Sequence, residues 1–202
     1  MHVGLRLIRD EHRTLAAVVD GLSQVAKEMA AKETASGRAK PDFALLDAII
    51  AYIEGFPGQL HHPKEDSVLF PAVQRRTHDL DAVIAELHRQ HDEDYRRVGA
   101  LREALAQWRA GADAGEGAAF AEQAAEYARF TMRHIAVEET QILHALPTLL
   151  TAEDWAEIDG AFDANQDPMT APGLADDFRR LFQRIVLLAP APLGLGGAPG
   201  GS

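Results

Sequence analysis

Two histidine–glutamate pairs are the residues of this chain best suited to do chemistry. His134 and Glu138 stand four apart within residues 120–145, and His61 and Glu65 repeat that spacing earlier. Read at helical period, the inward stripe of the later run is Phe120, Ala124, Tyr127, Thr131, His134, Glu138, Gln141 and Ala145. Titratable side chains thus occupy positions where an ordinary bundle helix carries Leu or Ile. A buried carboxylate needs a counter-charge or must be neutralised. Residues four apart on a helix point about 40° from one another, so both side chains reach one place beside the axis. A metal ion is the simplest occupant of that place.

The duplication extends over half the chain. Residues 61–70, HHPKEDSVLF, superpose without a gap on 134–143, HIAVEETQIL, as His-x-x-x-Glu followed by an acidic residue. Upstream of each copy lies an amphipathic stretch with one inward histidine. The first stripe is Leu5, Ile8, His12, Leu15, Val19 and Leu22; the second is Leu80, Ile84, Leu87, His91, Val98, Leu101 and Leu105. The pattern is that of a repeated helical hairpin, each half supplying one histidine and then a His-x-x-x-Glu pair.

Those residues must be carried by long helices. Ala, Leu, Arg and Glu are plentiful and no alternating strand pattern occurs, so the class is all-α. Helices are expected over about 4–32, from Asp42 to about Pro71, from about Asp79 to Arg109, and from about Ala118 to Leu146, an up-down-up-down four-helix bundle. Pro57 and Gly58 fall inside the second and predict a kink, or a break into two helices. Two short C-terminal helices follow: one opened by a Thr151–Asp154 capping box with Trp155, Ile158 and Phe162 on one face, the other carrying Leu174, Phe178, Leu181, Ile185 and Leu188. The expected division is a metal-binding bundle over 1–147, a helical appendage over 148–188, and a disordered Pro/Gly-rich tail over 189–202.

Composition narrows the function. The net charge of −11 argues against nucleic acid and anionic membranes as partners and is compatible with cations. With no cysteine among 202 residues, a metal site must use nitrogen and oxygen ligands. No uncharged run is long enough to span a bilayer, and the charged N-terminus lacks the apolar core of a signal peptide, so a cytoplasmic location is expected. Four histidines and two glutamates divide into two His/His/carboxylate sets, which suit non-haem iron; zinc in one three-ligand site, or manganese, is also compatible.

The runs Asp10-Glu11-His12, His61-His62-Pro63-Lys64-Glu65-Asp66-Ser67-Val68-Leu69-Phe70-Pro71, Arg89-Gln90-His91 and His134-Ile135-Ala136-Val137-Glu138-Glu139 resemble the hemerythrin-like family in its HHE cation-binding branch. The resemblance covers about 5–147. It implies a four-helix bundle with two non-haem Fe ions bridged by carboxylates, held by His12, His61, Glu65, His91, His134 and either Glu138 or Glu139. Internal symmetry favours Glu138. Oxygen-carrying members have a further histidine four before the one matched by His91; here that position is Leu87. His62 and His88 are candidates to replace it, although both lie off the strict stripe, which predicts a solvated or supporting role.

Asp66, Asp94 and Gln141 are candidates to orient ligand imidazoles. Tyr95 and Tyr127 can face the site, where a phenol could hydrogen-bond a bound oxygen species or be oxidised; core aromatics are the plainer reading. His2, His78 and His144 read as surface or packing residues. The expected function is a metal-ion protein that binds or senses O2 or NO, or handles iron. A di-iron oxidase or peroxidase acting on peroxide is the alternative, and a mononuclear Zn or Mn bundle a third. Packing of the last helix against a twin subunit would make a homodimer.

Overall fold

The computed structural model describes residues 2–36, 41–111 and 115–163. Among these there is no strand, and four long helices dominate: α1 (Val3–Ser36), α2 (Phe43–Gln74), α3 (Asp81–Ala110) and α4 (116–143). Two short ones follow, α5 (Leu146–Leu149) and α6 (Ala152–Asp163). The anticipated last helix around Leu174 and the tail lie outside the described residues, as does any twin-subunit contact through them.

Local chemistry sets the helix ends. The Asp42 carboxylate caps α2 by accepting from the Leu45 amide at 3.0 Å. Gly111 ends α3 at φ 63°, where a side chain would be strained, and its amide returns to Gln107 and Trp108. At the start of α4, a Cβ on Gly117 would come within 2.7 Å of the Trp108 indole, so glycine lets the two helices meet.

α2 continues past Pro57 as one helix rather than splitting into two. It passes through two π-helical turns, Pro57–His61 and Glu65–Leu69, and α4 ends in a third, Glu138–Leu143. Each wide turn takes up an extra residue and rotates everything after it about the helix axis. Rotation explains why Gln141, expected inward, is exposed, while Ile142 and Leu143 are buried in its place. By length and mean hydropathy (1.2) α2 meets the requirement of a bilayer span, but 61% of that window is buried inside the protein, as in a core helix.

The apolar interior falls into two clusters. One joins Leu15 to Ala30 of α1 with Leu45 to Phe56, Val98 to Trp108 and Phe120 to Phe130. The other joins Leu5 and Ile8 with Leu69 to Val73, Ile84, Leu87, Ile142 to Leu146 and the buried face of α6. On every long helix the candidate histidines stand between the two, so the polar residues form a layer across the bundle.

α6 is seated on α1 and α2. Its cap is reciprocal: the Thr151 amide donates to Asp154 at 3.0 Å and the Asp154 amide approaches Thr151 Oγ1 at 3.4 Å. Trp155, Ile158 and Phe162 are buried, as their spacing predicts. Asp154 also takes Arg76 Nε at 2.6 Å, and Lys64 Nζ donates to the Ala161 carbonyl at 2.9 Å.

Candidate metal centre

Six of the expected residues, His12, His61, Glu65, His91, His134 and Glu138, are buried in that polar layer, with both glutamates at 0% exposure. They fall into two groups whose ligand atoms lie within 4.8 Å of one another: His12, His61, Glu65 and Glu138, and His62, Glu65, His91 and His134. Glu65 belongs to both. Its Oε1 lies 2.9 Å from His61 Nε2 and 3.8 Å from His12 Nε2, while Oε2 lies 3.4 Å from His91 Nε2. Glu138 Oε2 likewise lies between His12 Nε2 (3.2 Å) and His134 Nε2 (3.8 Å). Each carboxylate therefore reaches across from one group to the other.

The imidazoles are held from behind. Glu11 Oε2 lies 2.7 Å from His61 Nδ1, and Gln90 Oε1 lies 3.1 Å from His134 Nδ1. Asp66 Oδ1 lies 2.8 Å from His91 Nδ1, and Glu139 Oε1 lies 3.2 Å from His12 Nδ1. These four contacts repeat the symmetry of the hairpins. The residue before the first histidine of each half (Glu11, Gln90) supports the second histidine of its own half. The residue after each buried glutamate (Asp66, Glu139) supports the first histidine of the other half. Outer bonds of this kind fix the ring and aim the opposite nitrogen inward.

Sequence reasoning found Asp66 in this role but missed Glu11 and Gln90, which only the crossing of helices brings to their partners. Of the two alternatives on α4, Glu138 faces the interior and Glu139 faces outward to His12. Asp94, expected to orient an imidazole, instead accepts the Tyr127 hydroxyl at 2.8 Å. Gln141, expected in the same role, is on the exposed side. Tyr95 does not face the centre: it is 55% exposed and its hydroxyl donates to the Gly58 carbonyl. Tyr127 is buried, with its hydroxyl committed to Asp94. His78 and His144 are exposed, and His2 stacks on Trp155 at 3.9 Å.

His62 departs most from expectation. It is 3% exposed rather than solvated, stacks on His91 at 4.1 Å and meets His134 edge-on at 5.5 Å. The cause is the π-helical turn Pro57–His61, which has no counterpart in α4 and turns the next residue inward. The matching position in the second half is Ile135, half-buried at the edge of the apolar core. His88 is 44% exposed and takes no part in either inner group.

Electrostatics divide the imidazoles. Burial pulls His12 and His61 down, but Glu138, Glu139 and Glu65 outweigh it at His12, and Glu65 with Glu11 raises His61 to about 10. His91 is raised too, against its burial, mainly by Asp66 and Glu65. Burial and then the neighbouring imidazoles hold His62 well below the ordinary value; His134 falls to about 3, burial outweighing Glu138. Glu138 is held below the carboxylate range, its burial overcome by His12.

The donor set fits a cation. His12, His91 and His134 Nε2, His62 Nδ1, and both oxygens of Glu65 and Glu138 are buried without a hydrogen-bond partner. Carboxylates and imidazoles buried this deeply, with only one another to face across the layer, carry a desolvation cost of several kcal/mol each. Ions bound by nitrogen and oxygen donors would satisfy them together. The profile of the hemerythrin HHE cation binding domain matches residues 3–146. No curated protein matches the sequence.

Proposed function

The chain belongs to the hemerythrin HHE cation-binding family, and on that premise we propose that it is a non-haem di-iron protein that takes up a small ligand such as O2, NO or peroxide. The observation that supports this reading is the pair of overlapping four-residue groups, joined by Glu65 and filled with unpartnered inward atoms. Two groups rather than one favour two ions over a single Zn or Mn. His12 and His61 would hold one ion, His62, His91 and His134 the other, with Glu65 and Glu138 between them. Bound there, iron supplies electron transfer to and from a small ligand. The chain's own work is to aim the nitrogens, through Glu11, Asp66, Gln90 and Glu139, and to keep water out with apolar clusters above and below. The three-to-two division of histidines would leave the His12–His61 side with one protein ligand fewer, which favours that side for the small ligand.

Elemental analysis of protein reconstituted anaerobically with Fe(II) tests the proposal. Two irons per chain, and none in His61→Ala or His134→Ala, is the expected result; a single Zn or Mn per chain, whatever metal is supplied, would sink it. Reversible change of the visible spectrum on O2 exposure and removal supports binding or sensing. Steady consumption of peroxide instead moves the protein to the oxidase or peroxidase class.

A further inference from the structure

A third group of ligand-type atoms lies on the outer side of His91. Asp66 Oδ1 stands 2.8 Å from His88 Nδ1 and 2.8 Å from His91 Nδ1, and the three residues' donor atoms all lie within 4.8 Å of one another. His88 and Asp66 are open to solvent, with 44% and 35% of their side chains exposed. His91 is 97% buried by the same measure (3% exposed), and its other nitrogen, Nε2, is unpartnered and directed at Glu65. One imidazole ring thus connects a surface pair to the inner group of His62, Glu65, His91 and His134. The carboxylates on its two sides, Glu65 and Asp66, are consecutive in the chain, one facing in and one facing out.

We propose that Asp66 and His88 form a surface loading site for divalent cations, from which an ion passes by His91 to the buried centre. The chemistry suits a transient stop. One carboxylate and one exposed imidazole bind a divalent ion weakly and leave most of its hydration in place. The inner groups each offer four buried donor residues, so the ion is drawn onward by the larger number of ligands. The Phe70 ring, nearly perpendicular to that of His88 with centroids 5.3 Å apart, packs against that imidazole beside Asp66. His91 lies between the parallel rings of His62 (4.1 Å) and Phe70 (5.9 Å), which keep its two nitrogens aligned along the path. The net charge of −11 favours the approach of cations to the molecule as a whole.

This inference rests on the metal-binding reading of the centre, and its test separates the two. Loading of the metal-free full-length protein with Co(II) is followed by stopped-flow absorption in the parent, His88→Ala, His88→Asp and His78→Ala. His88→Ala is expected to load about tenfold more slowly, yet reach the same metal-to-protein ratio and the same final spectrum. His88→Asp restores a ligand and should recover much of the rate, and His78→Ala should match the parent. If His88→Ala loads as fast as the parent, the entrance is disproved and the centre stands. If its final ratio or spectrum changes, His88 belongs to the centre and the loading role is disproved. A parent that takes up no Co(II) overturns both readings.

Discussion

At the scale of single residues, adjacent side chains do opposite jobs. Glu138 presents two unpartnered oxygens to the interior, whereas Glu139 reaches outward to His12. Glu138→Gln is therefore expected to lower the number of ions held at equilibrium. Glu139→Gln should keep the number and weaken affinity by about 10- to 100-fold, as loss of an orienting partner does; dialysis against buffered metal distinguishes the two. The opposite pattern would show that Glu139, not Glu138, is the inward ligand. His62→Ala is expected to release one ion in preference to the other, seen as a second, weaker step in a metal titration where the parent shows tight uptake. The symmetric site candidates that the structure buries together were legible because His-x-x-x-Glu recurs at the same spacing. His62 was named as a candidate, but its burial was not legible, because a stripe drawn at 3.6 residues per turn assumes that no turn is widened.

At the scale of elements, the π-helical turns place these side chains. Glu65–Leu69 and Glu138–Leu143 each begin at an inward glutamate, and the rotation that follows returns Leu69 and Ile142 to the core. Pro57 and Pro63 lack the amide a regular turn would use, so α2 has local reason to widen where the site requires it. α6 is the other positioning element, and its attachment depends on Asp154. Hydrogen bonds from Arg76, with others from Thr151 and Arg75, hold that carboxylate below the usual range. A carboxyl whose pKa is depressed by folding contributes stability above its unfolded value, and the contribution is lost as pH falls through that value toward the folded one. Asp154→Asn is thus expected to lower the melting temperature by a few degrees at neutral pH. The gap between variant and parent should close below about pH 4, near the ordinary aspartate value; a gap that persists in acid would mean the side chain acts through packing alone.

At the scale of the whole molecule, the bundle is two apolar cores separated by a polar layer, so its cohesion and its metal content are linked. An ion bound only by the folded chain stabilises it by about 4 kcal/mol when present at a thousandfold excess over its dissociation constant. Removal of metal by a chelator is expected to lower the melting temperature clearly in the parent and scarcely in His134→Ala, which has little left to lose. Equal melting of chelated and loaded parent would contradict the role of cations in pairing Glu65 and Glu138. The same layered arrangement explains why a metal site was legible from spacing, while the family was read from the resemblance of its motif runs. Inward histidines and glutamates at matched depth on four helices have few other uses in an apolar interior.

The sequence by itself determined the helices, the repeated hairpin and the six symmetric residues that the fold buries together, because periodicity and i,i+4 spacing act within a single helix. Only the tertiary structure decided which carboxylate or amide backs each imidazole, that His62 turns inward, and that Tyr95 turns away. Those outcomes depend on how one helix crosses another and on turns that are not 3.6 residues long, and neither is written in any local spacing.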